Sequence, residues 1–168
     1  HDAMSCDLLP TDAPGPHYQG DVMDVLNNDW DMMVAHPPCT HLAVSGARWF
    51  KDKQAEQTDA LAFVRQLLDA PIPRIALENP VSIISSHIRK PDQIIQPWMF
   101  GHEATKTTCL WLKGLPHLTP TSIVGKGLAF FDQIGLAKIL RFLTLNPSIH
   151  ITQDTTVKLS ELRTYIVY

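Results

Sequence analysis

Apolar residues along the chain fall into short runs and, in one place, follow helical spacing. Between Lys53 and Leu68 six apolar positions share one helical face and predict an amphipathic helix: Ala60, Leu61, Phe63, Val64, Leu67 and Leu68. Apolar or β-branched runs predict buried strands at Ala3–Leu9, Trp30–Ala35, Arg74–Leu77, Thr108–Leu112 and Tyr165–Tyr168. A further helix is expected over Leu128–Leu145, and a short turn after Gly20.

The strands and the helix alternate, and acids or prolines follow the strands. This order is typical of a parallel α/β sheet. In such sheets ligands bind outside the carboxyl ends of the strands. Asp7, the turn His36–Thr40 and Glu78 are therefore expected along one edge of the sheet.

Composition narrows the class of protein further. The 168 residues are 45% hydrophobic and 18% charged, which indicates one globular domain rather than a disordered chain. We find neither a membrane-spanning apolar run nor a secretory signal. The three cysteines lack CxxC spacing, and the eight histidines lack HxH or HxxxH spacing. We therefore expect a cytoplasmic protein with no structural disulfide and no metal site.

The formal net charge is −3, from 17 acidic and 14 basic residues. No overall positive field would draw such a protein onto nucleic acid, so DNA would have to be held by a local basic patch.

Cys39 is the first candidate for chemistry. It follows two prolines at a strand end, which fix the backbone and aim the side chain. With His36 and His41 nearby, this is a setting in which a thiol becomes a nucleophile, although a small buried hydrophobe explains many lone cysteines. Cys6 and Cys109 lie in apolar strands, and we expect them to be buried.

Glu78 is the second candidate, because a carboxyl directly after a buried strand is costly unless it is hydrogen-bonded or functional. Burial favours its protonated form, which could donate to a ring nitrogen. The same segment also fits a helix start, with Asn79 as the cap and Pro80 at the first helical position.

A thiol and a protonable carboxyl on neighbouring strands suit one reaction well. Addition of a thiolate to C6 of a pyrimidine makes C5 nucleophilic, and an acid at N3 stabilises the charge that results. C5 can then accept an electrophilic methyl group.

The motifs that carry these residues resemble those of C5-cytosine DNA methyltransferases. The segments HPPCTHLAVSG and IALENP occur in the family's order, with a Pro-Cys motif before a Glu-Asn motif. The resemblance is strongest to small phage-type cytosine methyltransferases and covers about residues 1–124. It rests on six segments: Cys6–Pro10, Gly20–Val22, Trp30–Thr40, Arg74–Pro80, Ile95–Gly101 and Thr105–Pro116.

The resemblance implies a Rossmann-like class I methyltransferase sheet and S-adenosylmethionine as cofactor. It makes Cys39 the nucleophile and Glu78 the partner of N3, beside Asn79 and Pro80 in the substrate site. In the cofactor site it implies that Asp7 binds the ribose and Asp21 the adenine amino group, with Pro37 and Pro38 at the methionine end.

Two further residues are candidates for substrate contact. Arg48 follows the Cys39 turn, with aromatic residues beside it, and Lys106 precedes the last core strand. Such cations suit phosphate contact. Each position is also compatible with an ordinary solvated loop or helix entry.

The chain departs from the family at both ends. The glycine-containing first strand that cradles the cofactor would lie before His1, so either this strand is missing or the tail supplies a substitute. Residues 125–168 match no family segment and are expected to pack on a core of residues 1–124.

These departures leave three hypotheses open: methylation of cytosine in DNA, methylation of a free pyrimidine nucleotide, and an inactive remnant or binding module of the same fold. An amino-methyltransferase is less favoured, because those enzymes place an aromatic residue where this chain has Cys39.

Overall fold

The computed structural model describes residues 2–46, 52–127 and 163–167. The strands are β1 (Asp2–Asp7), β2 (His17–Gln19), β3 (Met32–Ala35), β4 (Arg74–Pro80), β5 (Gln93–Ile95), β6 (Thr108–Lys113) and β7 (Arg163–Val167). The helices are α1 (Gln54–Asp69) and α2 (Ile84–His87), with 3-10 turns at Val22–Asp24 and Pro97–Met99. The helix predicted over Leu128–Leu145 lies outside the described residues.

All seven strands form one mixed sheet in the order β2-β1-β7-β3-β4-β6-β5. The first five run parallel, whereas β6 is antiparallel to β4 and β5 is antiparallel to β6. The predicted parallel sheet is therefore found over five strands, and β6 and β5 extend it with antiparallel pairing. Parallel neighbours need a long crossover, and only the four-residue helix α2 and short turns separate β4, β5 and β6.

β7 lies in the middle of the sheet. Tyr165 pairs with Met4 of β1 on one side and with Met33 of β3 on the other, and both pairings are parallel. The tail of the chain therefore contributes a strand to the sheet, between β1 and β3.

Helix α1 packs on the sheet through the face that its spacing predicts. Leu61, Val64 and Leu67 are buried, and Phe63 and Leu68 pack against the same core. The centre of this core is made by large apolar side chains of β3, β4 and β6, including Met33, Ile75, Leu77 and Trp111. Among the described helices none is long and apolar enough to cross a membrane.

β4 is longer than its apolar run. Glu78, Asn79 and Pro80 continue the strand and pair with Leu110, Cys109 and Thr108 of β6. The alternative of a helix cap at Asn79 is therefore wrong, since α2 begins only at Ile84. The strand continues because its backbone pairs with β6, although the local sequence favours a turn at this point.

Candidate functional site

The carboxyl ends of β3 and β4 place His36 beside Glu78. In the parallel register Ala35 pairs with Leu77, so the next residue of each strand lies at the same level. Nδ1 of His36 is 3.4 Å from Oε2 of Glu78, and the two side chains are only 14% and 9% exposed. The strand ends thus bring an imidazole and a carboxyl together in a nearly dry environment.

Three hydrogen bonds tie the segment after β3 to the end of β4 and to the segment that follows it. Nδ2 of Asn79 donates to the carbonyl oxygen of Pro37 at 2.9 Å. The amide of Val44 donates to the carbonyl of Val81, and that of Ile83 donates to the carbonyl of Leu42, each at 3.0 Å. The two segments therefore form one unit.

Cys39 lies in a turn within this unit. Its carbonyl oxygen accepts the amide protons of Leu42 at 3.0 Å and of Ala43 at 2.9 Å, which fix the backbone. Its side chain is exposed, whereas Cys6 and Cys109 are buried as expected. Of the three thiols, Cys39 is therefore the one open to a substrate.

Two buried oxygens of β4 have no hydrogen-bond partner among the described residues: Oε1 of Glu78 and Oδ1 of Asn79. Their residues are 7% and 1% exposed. A buried acceptor without a donor costs about 1–3 kcal/mol. This cost would be relieved by a ligand that carries N–H or O–H groups.

Cys109, which pairs with Asn79 across the sheet, adds no negative charge next to Glu78. Burial, and to a smaller extent the carboxylate of Glu78, raise the pKa of Cys109 above its usual range. Cys109 therefore stays neutral at physiological pH beneath this site.

A pocket of about 440 Å³ adjoins this unit, and all four residues predicted to bind the cofactor line it: Asp7, Asp21, Pro37 and Pro38. They come from three separate segments of the chain, namely the end of β1, the turn after β2 and the turn after β3. Cys39 and Glu78 are not in its wall. The short segment His36–Cys39 thus contributes to two sites. Pro37 and Pro38 line the pocket, and His36 contacts Glu78.

Asp7 and Asp21 are held by backbone amides. Oδ1 of Asp7 accepts from Leu9 and Oδ1 of Asp21 accepts from Met23, each at 2.9 Å. The second oxygen of each carboxylate makes no hydrogen bond to the part of the chain that is described. Gly20, between them, could not be replaced freely, because a Cβ there would lie 2.7 Å from the ring of Tyr18.

Helix α1 and His41 also contribute to the pocket, which the sequence pattern did not predict. Glu56, Asp59, Ala60 and Phe63 line it from one side of the helix, and His41 lines it from the Cys39 turn. These four positions share one face of the helix, because they have i, i+3, i+4 and i+7 spacing. With Asp7 and Asp21, Glu56 and Asp59 place four carboxyl groups around a pocket whose wall is otherwise largely apolar.

The remaining predicted substrate residues differ in their placement. Pro80 ends β4 and pairs with Thr108, which puts the start of β6 at the same edge of the sheet. Lys106 precedes that start, and its amide donates to Oε1 of Gln96 at 2.9 Å. Arg48 lies outside the described residues.

No group of three or more histidine, cysteine, aspartate or glutamate side chains within residues 2–46, 52–127 and 163–167 could hold a metal ion. Comparisons of the chain with protein-family models, with curated proteins and with solved structures find no match. The functional interpretation therefore rests on the geometry of the site and on the motifs themselves.

Proposed function

We propose that the protein transfers the methyl group of S-adenosylmethionine to C5 of cytosine in DNA. One observation carries this proposal: four residues assigned to the cofactor from separate motifs line one pocket, and the segment that provides Pro37 and Pro38 also provides Cys39. A cofactor site and a nucleophile on consecutive residues are what methyl transfer to a thiol-activated base requires.

We assign the sheet to the Rossmann-like class I methyltransferase type, with β7 in place of the first strand. The five parallel strands, and the polar residues near the carboxyl ends of β1, β2, β3 and β4, support this assignment. The ligands of such sheets lie at these ends.

The residues of the pocket fit S-adenosylmethionine. Its volume of about 440 Å³ is within the range of small-molecule sites. The second oxygen of Asp7 would accept from the ribose hydroxyls and that of Asp21 from the adenine amino group. Pro37 and Pro38 would border the methionine end. When bound, the cofactor supplies an electrophilic methyl group.

Cys39 would act as the nucleophile toward the base. Its thiolate adds to C6 of cytosine, and the electron pair of the C5–C6 double bond becomes available at C5. After C5 has been methylated, a water molecule takes the proton from C5. The electron pair of that C–H bond restores the C5–C6 double bond as the bond between sulfur and C6 breaks. The thiolate of Cys39 is thereby regenerated.

Glu78 and Asn79 would hold the other side of the ring. In its protonated form Glu78 donates to N3 and so stabilises the charge that thiolate addition creates. Oε1 of Glu78 is the oxygen left to meet N3, and the unpartnered Oδ1 of Asn79 suits the amino group of cytosine, which offers N–H donors. Uracil and thymine carry a carbonyl oxygen in place of that group, so they would leave Oδ1 of Asn79 unpaired.

Transfer of a radiolabelled methyl group from S-adenosylmethionine to duplex DNA tests this function. The purified chain should label cytosine C5, and Cys39→Ser should lose at least about 1,000-fold while binding the cofactor as before, because Cys39 is not in the pocket wall. Equal activity of the Cys39→Ser variant would refute the assignment of the nucleophile.

A free pyrimidine nucleotide is the second candidate substrate, because the net charge of −3 offers a DNA backbone no overall attraction. Deoxycytidine monophosphate, assayed beside duplex DNA, separates the two substrates.

Calorimetric titration with S-adenosylmethionine and S-adenosylhomocysteine tests the third possibility, an inactive remnant or binding module of the same fold. A chain that binds neither would be an inactive remnant of the fold.

A further inference from the structure

Glu78 has a neighbour to which the proposed chemistry has given no role. This is His36, whose Nδ1 lies 3.4 Å from Oε2 of the carboxyl. Among the described residues it makes the only hydrogen bond to this carboxyl. A carboxyl so well shielded from water needs such a partner to keep one orientation.

The two residues at the end of β4 are arranged alike. Asn79 is anchored through Nδ2 on Pro37, and its Oδ1 has no partner in the described structure; Glu78 contacts His36 through Oε2, and its Oε1 has none. Each side chain is thus held by one polar atom, and its other polar atom is buried without a partner among the described residues. The anchors are adjacent residues, and Pro37 restricts the backbone of His36 to extended conformations.

We propose that His36 is a positioning residue, which holds Oε2 of Glu78 through Nδ1 and so leaves Oε1 to meet the target base. This proposal rests on the proposed function, because it takes Glu78 to be the residue that contacts the ring. His36 itself touches no substrate. Its contact with Glu78 is long in the free protein, and hydrogen bonds of this kind tighten when substrate binds.

Two substitutions test the role of His36. His36→Asn keeps an N–H donor near the position of Nδ1, whereas His36→Leu keeps apolar bulk without a donor. We expect kcat for methyl transfer to fall about 100-fold in the Leu variant, with cofactor affinity unchanged. In the Asn variant kcat should be about tenfold higher than in the Leu variant. His117→Asn, at an exposed position, is the matched control and should equal the wild type.

A double-mutant comparison separates positioning from a structural role. In a Glu78→Gln background, His36→Leu should cost little more, because its partner is already changed. An equal loss in both backgrounds, or an Asn variant no better than the Leu variant, would overturn the proposal. If the Leu variant does not fold, the Asn variant provides the same comparison.

Failure of the proposed function would be distinguishable. A wild-type chain that binds the cofactor but methylates no cytosine would refute the function and leave the contact to be tested by ¹⁵N NMR of the imidazole. The Nδ1 signal of His36 should move on Glu78→Gln and stay fixed in a Glu103→Gln control, which alters an exposed acid. An unmoved signal would overturn the contact on its own.

Discussion

Asn79 donates from its side chain to the carbonyl oxygen of Pro37 and thereby ties the end of β4 to the turn that carries Cys39. The bond is buried, and Asn79 is only 1% exposed. It links the residue assigned to the base with the residue assigned to the cofactor pocket. The relative position of the two proposed sites therefore depends on it.

Replacing Asn79 by alanine should destabilise the protein and slow methyl transfer. The substitution leaves the carbonyl oxygen of Pro37 buried without a donor, which costs about 1–3 kcal/mol. Urea unfolding measures the change in the free energy of unfolding. Asn27→Ala, at an exposed position, is the control, and an equal effect of both substitutions would contradict the importance of this bond.

Cofactor affinity should depend on the carboxylates of the pocket. We expect Asp7→Asn and Asp21→Asn each to weaken S-adenosylmethionine binding by about 10- to 100-fold, the usual value of a hydrogen bond to a charged group. Isothermal titration calorimetry measures the two dissociation constants. Asp12→Asn removes an exposed acid of the loop after β1, and a loss of affinity there would indicate a general electrostatic effect instead.

The three thiols should differ in reactivity. In the native protein iodoacetamide should modify Cys39 and spare the other two, because Cys6 and Cys109 are buried and burial also raises the pKa of Cys109. Mass spectrometry should then find one label per native chain and three per unfolded chain. Labelling of Cys109 in the native state at neutral pH would contradict the described packing of β6.

Acid should weaken the edge of the sheet at Asp92. Burial opposes ionisation of this carboxyl, but hydrogen bonds from the amide of Leu112 and from Arg89 outweigh it and lower its pKa below 3.8. A carboxyl with a lowered pKa stabilises the fold above its usual pKa, and this contribution is lost as the pH falls below that value.

The variant Asp92→Asn should therefore lose less stability than the wild type when the pH is lowered from 6 to 3. Chemical unfolding at these two pH values measures the difference. With the exposed Asp12→Asn as control, an identical pH dependence of all three proteins would refute the contribution of Asp92.

The central strand should be sensitive to loss of a backbone donor. Tyr165→Pro removes an N–H from a strand that pairs on both sides, so we expect a fall in melting temperature of at least about 5 °C and loss of cofactor binding. Tyr165→Ala keeps the donor and serves as the matched variant. If the two variants have the same melting temperature, the loss of stability comes from the side chain and not from the backbone pairing.

Local patterns predicted the longer elements and the strand-end residues. Helix α1, β3 and β6 follow apolar runs, and Cys39 was found because it follows such a run, whereas the role predicted for Asp7 came from the resemblance. The strands β2 and β5 were missed because three residues each, HYQ and QII, carry no periodicity. The extension of β4 through Asn79 depends on β6, thirty residues later, and no local pattern reports such a pairing.

The site was predicted less completely than the strands for the same reason. Which helix covers a pocket is decided by packing across the sheet. Glu56 and Asp59 therefore looked like ordinary surface acids of α1. His36 was noticed only as a neighbour of Cys39, although its contact is with Glu78, forty-two residues away.

The position of β7 has a consequence for the order in which the protein can be assembled. During synthesis β1 and β3 emerge early, but in the described structure no ladder joins them directly, and each awaits residues 163–167. Until those residues leave the ribosome, two open strand edges face the solvent, and such edges pair readily with other chains. In a nascent chain stalled before Arg163, the strand β1 with Asp7 and the strand β3 with the following Pro37 would not yet be joined in one sheet. Such a chain would be prone to aggregate.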